Sequence, residues 1–573
     1  MSTVRPRRPA RRLDAPLVAV LEKRGRFLVA EPLFGPGPRT AVERGEGREG
    51  DLVLVGSGKR GARVTRVIGR PDRARDVVEG LMLDRGLHRH YGRRATEEAE
   101  DATVEPFAAD ARVDLLDLPT FTIDPDDAQD FDDAISATSE NGRVRLWVHI
   151  ADVTAYLRPG GALDAEATRR GTSVYVPGAV EPMLPEALSN RACSLRPGEE
   201  KLAVTVEMEL EGAAVRKVAF HRSRVRSDSR LTYRQVDAIF AGRERAEEPW
   251  AAPLEAARGV ARALQERRDS VAIGAPEPVF EFDSDGHVTA ARNEEQTESH
   301  RLIEALMVLA NEQVAGYLED RKLPTLYRVH ERPEPRAVEF LADQLASLDI
   351  PTPPLPRNMT PQQAADAAAE MSRIVAREAP DRRAIGVLVL RALKQAFYSP
   401  RNLGHAGLAS PRYTHFTSPI RRYPDVVAHR ALLQGLGIDQ AAFAAAELDE
   451  LGVQTSALER EAVQIERAAD DVVLAFLLER RLSEADPDDP PSFDGEVVGL
   501  IDKGAFVRFG EEGFEGFVGV RRLREWWSLN EQGTALVAEG SGRALRLGDP
   551  IEVTVDRVDA PRGRVDLAPI VAA

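Results

Sequence analysis

The stretch TIDPDDAQDFDD, residues 122–133, places six aspartates within ten residues, directly after an apolar, strand-like segment. An acidic cluster of this kind is most often a solvated loop. Here apolar segments enclose the run on both sides, and Phe131 and Ile135 alternate with its acids where a solvated loop would have Gly, Ser or Lys. So many carboxylates repel one another and need cations if they are held inside a fold. The stretch therefore predicts a cation site within a folded domain.

Hard divalent ions with oxygen ligands suit such a cluster. Mg²⁺ in particular usually shares its ligand shell between a few carboxylates and a substrate phosphate. A calcium loop of the EF-hand kind is excluded, because the sixth position counted from Asp124 is Gln129 instead of glycine and the twelfth is Ile135 instead of glutamate. Mg²⁺ is therefore the expected ion.

The composition is that of an ordinary soluble protein. Of 573 residues, 43% are apolar and 30% are charged, and no apolar run approaches the roughly 18 residues of a membrane span. No apolar stretch long enough for a signal peptide follows the basic N-terminus, so a cytoplasmic location is expected. The single Cys193 excludes an intramolecular disulfide and a cysteine-rich zinc site. The net charge of −16 argues against a surface coated with nucleic acid but leaves room for a local basic channel.

Apolar periodicity and Pro/Gly clusters divide the chain into several segments. We expect a disordered basic tail in residues 1–13, a small antiparallel barrel in 14–70, a helical connector in 71–111, an α+β domain in 112–485 and a second small barrel in 493–570. Long helical stretches are predicted at 298–322, 361–378 and 440–481. The functional interpretation of the first barrel is an oligonucleotide-binding fold, and a role in packing alone is the alternative.

A second stretch with residues suited to catalysis is HFTSPIRRYPDVVAHR, residues 415–430. Ser418 and Pro419 predict a helix start, because a hydroxyl can cap free N–H groups and proline fits the first helical position. Such an end attracts anions, and Arg421 and Arg422 in its first turn could bind a phosphate. Neighbouring helical residues point about 100° apart, so one of the two arginines is expected to be structural.

Together the two stretches supply what phosphodiester hydrolysis requires. Carboxylates can hold metal ions that activate water and stabilise the leaving oxygen, while a guanidinium offsets charge on the phosphoryl oxygens.

Four motifs resemble, in the same order, the catalytic domain of the ribonuclease II and ribonuclease R family: TIDPDDAQDFDDAI, WVHIADV, SVYVPGAVEPMLPEALSNRACSL and HFTSPIRRYPDVVAHR. The resemblance implies a multidomain protein with an α+β catalytic domain of the RNB type. Small all-β OB-fold barrels would flank this domain, cold-shock-like at the N-terminus and of the ribosomal S-one type at the C-terminus. It further implies processive 3′-to-5′ hydrolysis of single-stranded RNA to nucleoside 5′-monophosphates with Mg²⁺, for which Mn²⁺ is the expected substitute.

The resemblance also implies site residues, carried over position by position. Metal binding falls on Asp124, Asp130, Asp132 and Asp133, and catalysis falls on Asp132 and Arg421. Asp126 and Asp127 lie outside this set and are expected either to be solvated or to stand just behind the metal ligands. The expected RNA contacts are Tyr175, which would stack on a base near the cleaved end, together with Arg421, Arg422, Phe506, Phe509 and Phe517.

Two departures from the family pattern are visible. Pro333 stands near the place where ribonuclease II has a second stacking aromatic, and the chain has room for one N-terminal barrel where the family usually has two. The arginine-rich segment 221–235 could line an RNA path, although a solvated face is as frequent a role for such a pattern. The main alternative to an exoribonuclease is an RNA-binding protein that kept the fold and lost catalysis, and a third hypothesis is an endonuclease or DNA phosphodiesterase. A monomer is expected.

Overall fold

The first strands of the chain form a small sheet that curls on itself. The computed structural model describes residues 17–43, 45–57, 61–104, 106, 112–267, 277–438, 443–486 and 488–570, so the tail predicted in 1–13 lies outside the described residues. The strands are β1 (Leu17–Arg24), β2 (Phe27–Pro32), β3 (Thr40–Ala41), β4 (Leu52–Ser57) and β5 (Ala62–Gly69), in the order β3-β2-β1-β4-β5. An isolated bridge between Val42 and Ala62 joins the two edges, which gives the small barrel that the sequence predicts.

The predicted connector forms two helices, α1 (Ala74–Asp84) and α2 (Arg93–Val104). The apolar face of α1, with Val77, Val78 and Leu81, is buried in a core that also contains Val18 and Leu52 of the barrel. The barrel is thus attached to the rest of the protein through α1.

The acidic stretch belongs to a seven-stranded sheet. In chain order the elements of this region are β6 (Val113–Asp114), β7 (Phe121–Asp124), β8 (Asp133–Glu140), β9 (Arg143–Ala151), α3 (Ala162–Arg170), β10 (Val174–Val176), β11 (Ala179–Glu181), β12 (Glu200–Glu211), β13 (Ala214–Arg226) and β14 (Ser229–Thr232). The sheet order is β14-β7-β8-β9-β12-β13-β6, and β10 and β11 form a separate hairpin. The pairs β14–β7 and β13–β6 are parallel.

Helices follow the strands, as an α+β domain predicts. They and the short strands between them are α4 (Tyr233–Phe240), α5 (Ala251–Arg267), β15 (Glu277–Phe282), β16 (Val288–Glu294), α6 (Glu298–Asp320), β17 (Tyr327–Val329), α7 (Pro335–Ser347), α8 (Pro361–Glu378), α9 (Arg383–Ala392), β18 (Phe397–Ser399), α10 (Tyr423–Gly435) and α11 (Ala445–Glu484). Helices α5 and α6 cover one face of the sheet, where Leu146, Val148 and Ile150 of β9 are fully buried. Burying each of these side chains stabilises the domain by about 1.5–3 kcal/mol.

The 40-residue helix α11 connects distant parts of the molecule. At 1.5 Å per residue it is about 60 Å long. Its buried residues Ile465, Val472 and Phe476 share one core with Val174 of β10 and with Phe514 in the C-terminal barrel. The same helix therefore supports a strand near the acidic stretch and both barrels.

The C-terminal segment forms a closed barrel with a small added sheet. Its strands are β19 (Ser492–Ile501), β20 (Gly504–Phe509), β21 (Phe514–Gly519), β22 (Trp527–Leu529), β23 (Ala535–Ala538), β24 (Ala544–Arg546), β25 (Pro550–Asp559) and β26 (Arg564–Pro569). The barrel order is β19-β20-β21-β26-β25, and β22, β23 and β24 form the added sheet. The expected fold class is thereby confirmed. No helix in the described ranges is long and apolar enough to span a membrane.

Candidate active site

The acidic loop, residues 125–132, connects the end of β7 to the start of β8. Asp124 and Asp133 occupy the two strand ends and are half-buried, whereas Asp132 is only 5% exposed. The backbone N–H of Ile420 donates to Asp132 Oδ1 at 2.9 Å, and the N–H of Ala151 donates to the Asp132 carbonyl at 2.8 Å. The strands and these two bonds turn Asp132 inward.

Two other acids of the loop point the other way. Asp126 and Asp127 are exposed, and Asp126 lies 3.5 Å from the exposed guanidinium of Arg234. Their predicted solvated character is confirmed.

Burial raises the pKa of three carboxyl groups at this site. The pKa of Asp124 rises to about 6, and that of Asp133 rises to about 7 because of burial and the neighbouring charge of Asp124. Burial raises the pKa of Asp132 well above its usual value, Asp130 and Asp133 raise it further, and Arg421 opposes the rise. Ionised carboxylates in this place therefore carry negative charge that nearby protein cations offset only in part.

The oxygen atoms of these residues fit a divalent cation. Asp124 Oδ2 and Asp132 Oδ2 are buried and have no hydrogen-bond partner, although a buried carboxylate oxygen normally has one. Within the described ranges, no three His, Cys, Asp or Glu side chains gather closely enough to form a metal site without other ligands. That spacing is compatible with Mg²⁺, which commonly takes one or two carboxylates and completes its shell with water and substrate phosphate.

The arginine segment differs from the prediction at its helix start. Helix α10 begins at Tyr423 with Arg422 as its N-cap, so Ser418 and both arginines precede the helix. The Ser418 N–H donates to Asp425 Oδ1 at 2.8 Å, and the carbonyl of Arg421 accepts from the N–H of Ser173 at 2.9 Å. These contacts hold the segment beside β10 and the acidic loop. The prediction that both arginines lie in the first helical turn is wrong.

Arg421 and Arg422 are used in different ways. Arg421 is 46% exposed, and its Nε lies 3.5 Å from Asp132 Oδ2, while its Nη2 donates to Ser418 Oγ at 3.1 Å. Arg422 instead donates from Nε and Nη2 to the two oxygens of fully buried Asp425, at 2.9 and 2.8 Å. This fork engages Nε and Nη2 of Arg422 and gives the residue a structural role. Its contact with RNA remains a prediction.

Tyr175 lies beside the acids although it is remote in sequence. Its hydroxyl donates to Asp130 Oδ2 at 3.0 Å, and its backbone N–H donates to Glu466 Oε1 of α11 at 2.9 Å. The residue is 39% exposed, so part of it is accessible to a ligand. Stacking on a base remains a prediction for Tyr175.

Tyr233 and Arg230 also lie at this site. The sequence predicts only that the segment 221–235, which contains both, could line an RNA path, and not that they lie beside the acids. The ring of Tyr233 stacks on His300 with centroids 3.8 Å apart, and burial together with the charges of Asp133 and Asp124 raises the pKa of its hydroxyl. Arg230 lies close enough to Asp124 to oppose the rise in the pKa of that carboxyl. Arg230 lies on β14 and Tyr233 directly follows this strand, so the pairing of β14 with β7 brings both to the site. Local periodicity does not reveal this pairing.

The three phenylalanines predicted to stack on RNA have two different environments. Phe506 of β20 pairs across the strands with Phe517 of β21, with ring centroids 5.1 Å apart, and both are partly exposed. Phe509 is 2% exposed and packs on Phe493 and Phe514. The RNA contact predicted for Phe509 is therefore wrong, because its ring lies inside the barrel.

Alanine substitutions are expected to have different effects in these two environments. Phe509→Ala should destabilise the barrel by about 3–5 kcal/mol through the cavity it leaves. Phe506→Ala or Phe517→Ala should instead weaken RNA binding by about 1–3 kcal/mol per base stacked on the ring. Thermal unfolding and fluorescence anisotropy with labelled RNA measure the two effects. A Phe509→Ala chain that melts like the unsubstituted protein would contradict the assignment.

Comparisons with known proteins agree with these features. The RNB domain model matches residues 112–437, and the S1 RNA binding domain model matches residues 491–568. Ribonuclease R of Escherichia coli is 34% identical over 561 residues, which cover 91% of this chain and 66% of that protein. Ribonuclease R of Aquifex aeolicus is 35% identical over 517 residues, which cover 88% of this chain and 72% of that protein. The chain thus spans about two thirds of the length of these relatives.

Solved structures share the fold. Mycoplasma genitalium RNase R in complex with ribose methylated single-stranded RNA has a TM-score of 0.85 at 24% identity, covering 98% of this chain and 90% of that one. Yeast Ssd1, described as a pseudonuclease, has a TM-score of 0.67 at 17% identity, covering 92% of this chain and 68% of that one. The family resemblance of the four motifs is confirmed, and the chain belongs to the ribonuclease II and ribonuclease R family of RNB-domain proteins.

Proposed function

We propose that the chain is a metal-dependent hydrolytic 3′-to-5′ exoribonuclease that degrades single-stranded RNA processively to nucleoside 5′-monophosphates. The observation that carries the proposal is the approach of Arg421 Nε to within 3.5 Å of buried Asp132 Oδ2. This approach places a half-exposed guanidinium beside carboxylates whose negative charge the nearby protein cations balance only in part. A phosphodiester at this place would meet both groups that hydrolysis needs.

The metal site is proposed for Asp124, Asp130, Asp132 and Asp133, with Mg²⁺ as the ion and Mn²⁺ as its substitute. Bound there, the ion would supply Lewis-acid polarisation of the phosphate and a water of lowered pKa. The chain's own residues orient the substrate. Arg421 offers a forked contact to phosphoryl oxygens, and Tyr175 offers a ring face to the terminal base, where stacking tolerates any sequence.

The proposed working unit combines this site with two RNA-holding barrels. We assign the N-terminal barrel to residues 14–70, the connector to 71–111, the catalytic domain to 112–485 and the C-terminal barrel to 493–570. Phe506 and Phe517 would contact the strand without reading its sequence, as processivity requires. A monomer located in the cytoplasm is the proposed form.

Incubation of 5′-labelled single-stranded RNA with the protein tests the function and the metal requirement. We expect labelled RNA that shortens stepwise together with free nucleoside 5′-monophosphates. EDTA should abolish the reaction, and added Mg²⁺ or Mn²⁺ should restore it. RNA binding without cleavage would favour the inactive RNA-binding alternative, whereas internal fragments or equal cleavage of DNA would favour the endonuclease or DNA phosphodiesterase.

A further inference from the structure

Arg230 reaches both ends of the acidic loop. It lies on β14, which pairs in parallel with β7 so that Arg230 stands opposite Thr122 and Thr232 stands opposite Asp124. Its Nη2 donates to the carbonyl of Pro125, the first residue of the loop. Its guanidinium carbon lies 5.7 Å from the ring centroid of Phe131, the residue before Asp132. One side chain thus contacts the loop directly after Asp124 and directly before Asp132.

The positive charge of the guanidinium also acts on one of the acids. Its charge opposes the effect of burial on Asp124. Its Nε is buried without a hydrogen-bond partner, which is unusual for a buried donor.

Three other arginines of segment 221–235 make different contacts. Arg222 is buried and donates to Asp152 at 2.9 Å, Arg224 pairs with Asp114 and Glu200 on the surface, and exposed Arg234 lies beside Asp126. The suggestion that the whole segment lines an RNA path is therefore not supported by these contacts. Arg234 reaches the loop at exposed Asp126, whereas Arg230 contacts Pro125 and Phe131, the neighbours of Asp124 and Asp132.

Contacts with the rest of the fold hold the loop at Phe131. The loss of Arg230 is therefore expected to disturb the loop and not the surrounding sheet. The Phe131 N–H donates to Ser194 Oγ at 3.0 Å, and its ring is 6% exposed. The middle of the loop contains exposed Asp126, Asp127 and Gln129. Arg230 therefore acts on a short exposed loop whose ends carry Asp124 and Asp132.

We propose that Arg230 is a positioning residue that holds the acidic loop so that Asp124 and Asp132, at its two ends, keep the orientation that the reaction needs. The inference deepens the proposed function and rests on it. Arg230 acts through the loop and does not contact RNA. Misplacing reacting groups by about 1 Å can cost about 100-fold in rate, so its loss is expected to affect turnover far more than RNA affinity.

The test compares Arg230→Met, Arg230→Lys and the control Arg234→Met, which removes a charge from an exposed arginine four residues away. For Arg230→Met we expect kcat to fall about 100-fold, with KM for single-stranded RNA changed by less than about threefold. Arg230→Lys should recover only part of the rate, because an ammonium cannot both donate to Pro125 and lie flat on Phe131. Arg234→Met should behave like the unsubstituted protein.

Amide hydrogen exchange supplies a readout that does not depend on catalysis. Amides of residues 126–131 should exchange faster in Arg230→Met, while those of β9 and β12 should keep their protection. The inference is overturned if kcat is retained, if KM rises with kcat unchanged, or if exchange accelerates throughout the sheet. If Arg230→Met does not fold, the same criteria apply to Arg230→Lys. A wild-type chain that does not hydrolyse RNA would contradict the proposed function, and the exchange experiment would still test the role of Arg230.

Discussion

Asp132→Asn is expected to remove nearly all hydrolysis, by about 10³-fold, while RNA binding stays close to that of the unsubstituted protein. Asparagine has almost the same shape, and its carbonyl oxygen can still accept the N–H of Ile420 that Asp132 Oδ1 accepts at 2.9 Å. It lacks the negative charge that a cation ligand needs and that Arg421 faces. Because burial disfavours the charged form of Asp132, the substitution should leave thermal stability unchanged or raise it.

The matched control is Asp126→Asn, which makes the same chemical change on an exposed residue of the same loop. Hydrolysis rates, RNA affinity by anisotropy and thermal unfolding are measured for both variants. Turnover near wild type in Asp132→Asn would refute the ligand assignment. A comparable loss in Asp126→Asn would show that the charge of the loop as a whole matters and not the position of one carboxylate.

Helices with strong local signals were predicted well from the sequence. The stretch 361–378 forms α8 (Pro361–Glu378), where Thr360 and Gln363 make a capping box and proline occupies the first turn. The stretch 298–322 forms α6 (Glu298–Asp320), which starts with a capping box at Thr297. Such caps satisfy free backbone groups within a few residues, so they can be recognised without tertiary information.

The start of α10 was mispredicted because a tertiary contact overrides the local signal. Ser418 and Pro419 have the pattern of a helix start, but the N–H of Ser418 donates to Asp425. The N–H of Tyr423 donates to the carbonyl of Gly171, and Arg422 bridges to Thr172. Contacts with a segment 250 residues away thus delay the start of the helix until Tyr423.

Strand periodicity could have separated Phe506 from Phe509. Side chains alternate between the two faces of a strand, so residues three apart lie on opposite faces. The sequence therefore predicts that only one of them points into the barrel, and only the structure shows that it is Phe509. Arg230 and Tyr233 gave no such signal, because their distance from the acids depends on the parallel pairing of β14 with β7.

Arg421→Lys is expected to lower turnover, whereas Arg422→Lys is expected to lower stability. Arg421 is half-exposed and bonds within the protein to Ser418 Oγ and, less closely, to Asp132, so lysine should fold normally. Lysine cannot reproduce a forked contact with phosphate, and turnover should fall about 10²–10³-fold. Arg422 makes its fork inside the protein, on buried Asp425. Lysine there should leave Asp425 incompletely paired and destabilise the domain by about 2–4 kcal/mol.

The measurement that separates the two effects is turnover per folded molecule, taken well below the melting temperature, together with the melting temperature itself. Arg421→Lys should show the lower turnover and an unchanged melting temperature, and Arg422→Lys should show the reverse. Equal losses of turnover at full folding would mean that both arginines contact the reacting phosphate. In that case Arg422 would have to contact the phosphate through N–H groups outside its fork on Asp425, which uses one hydrogen each of Nε and Nη2.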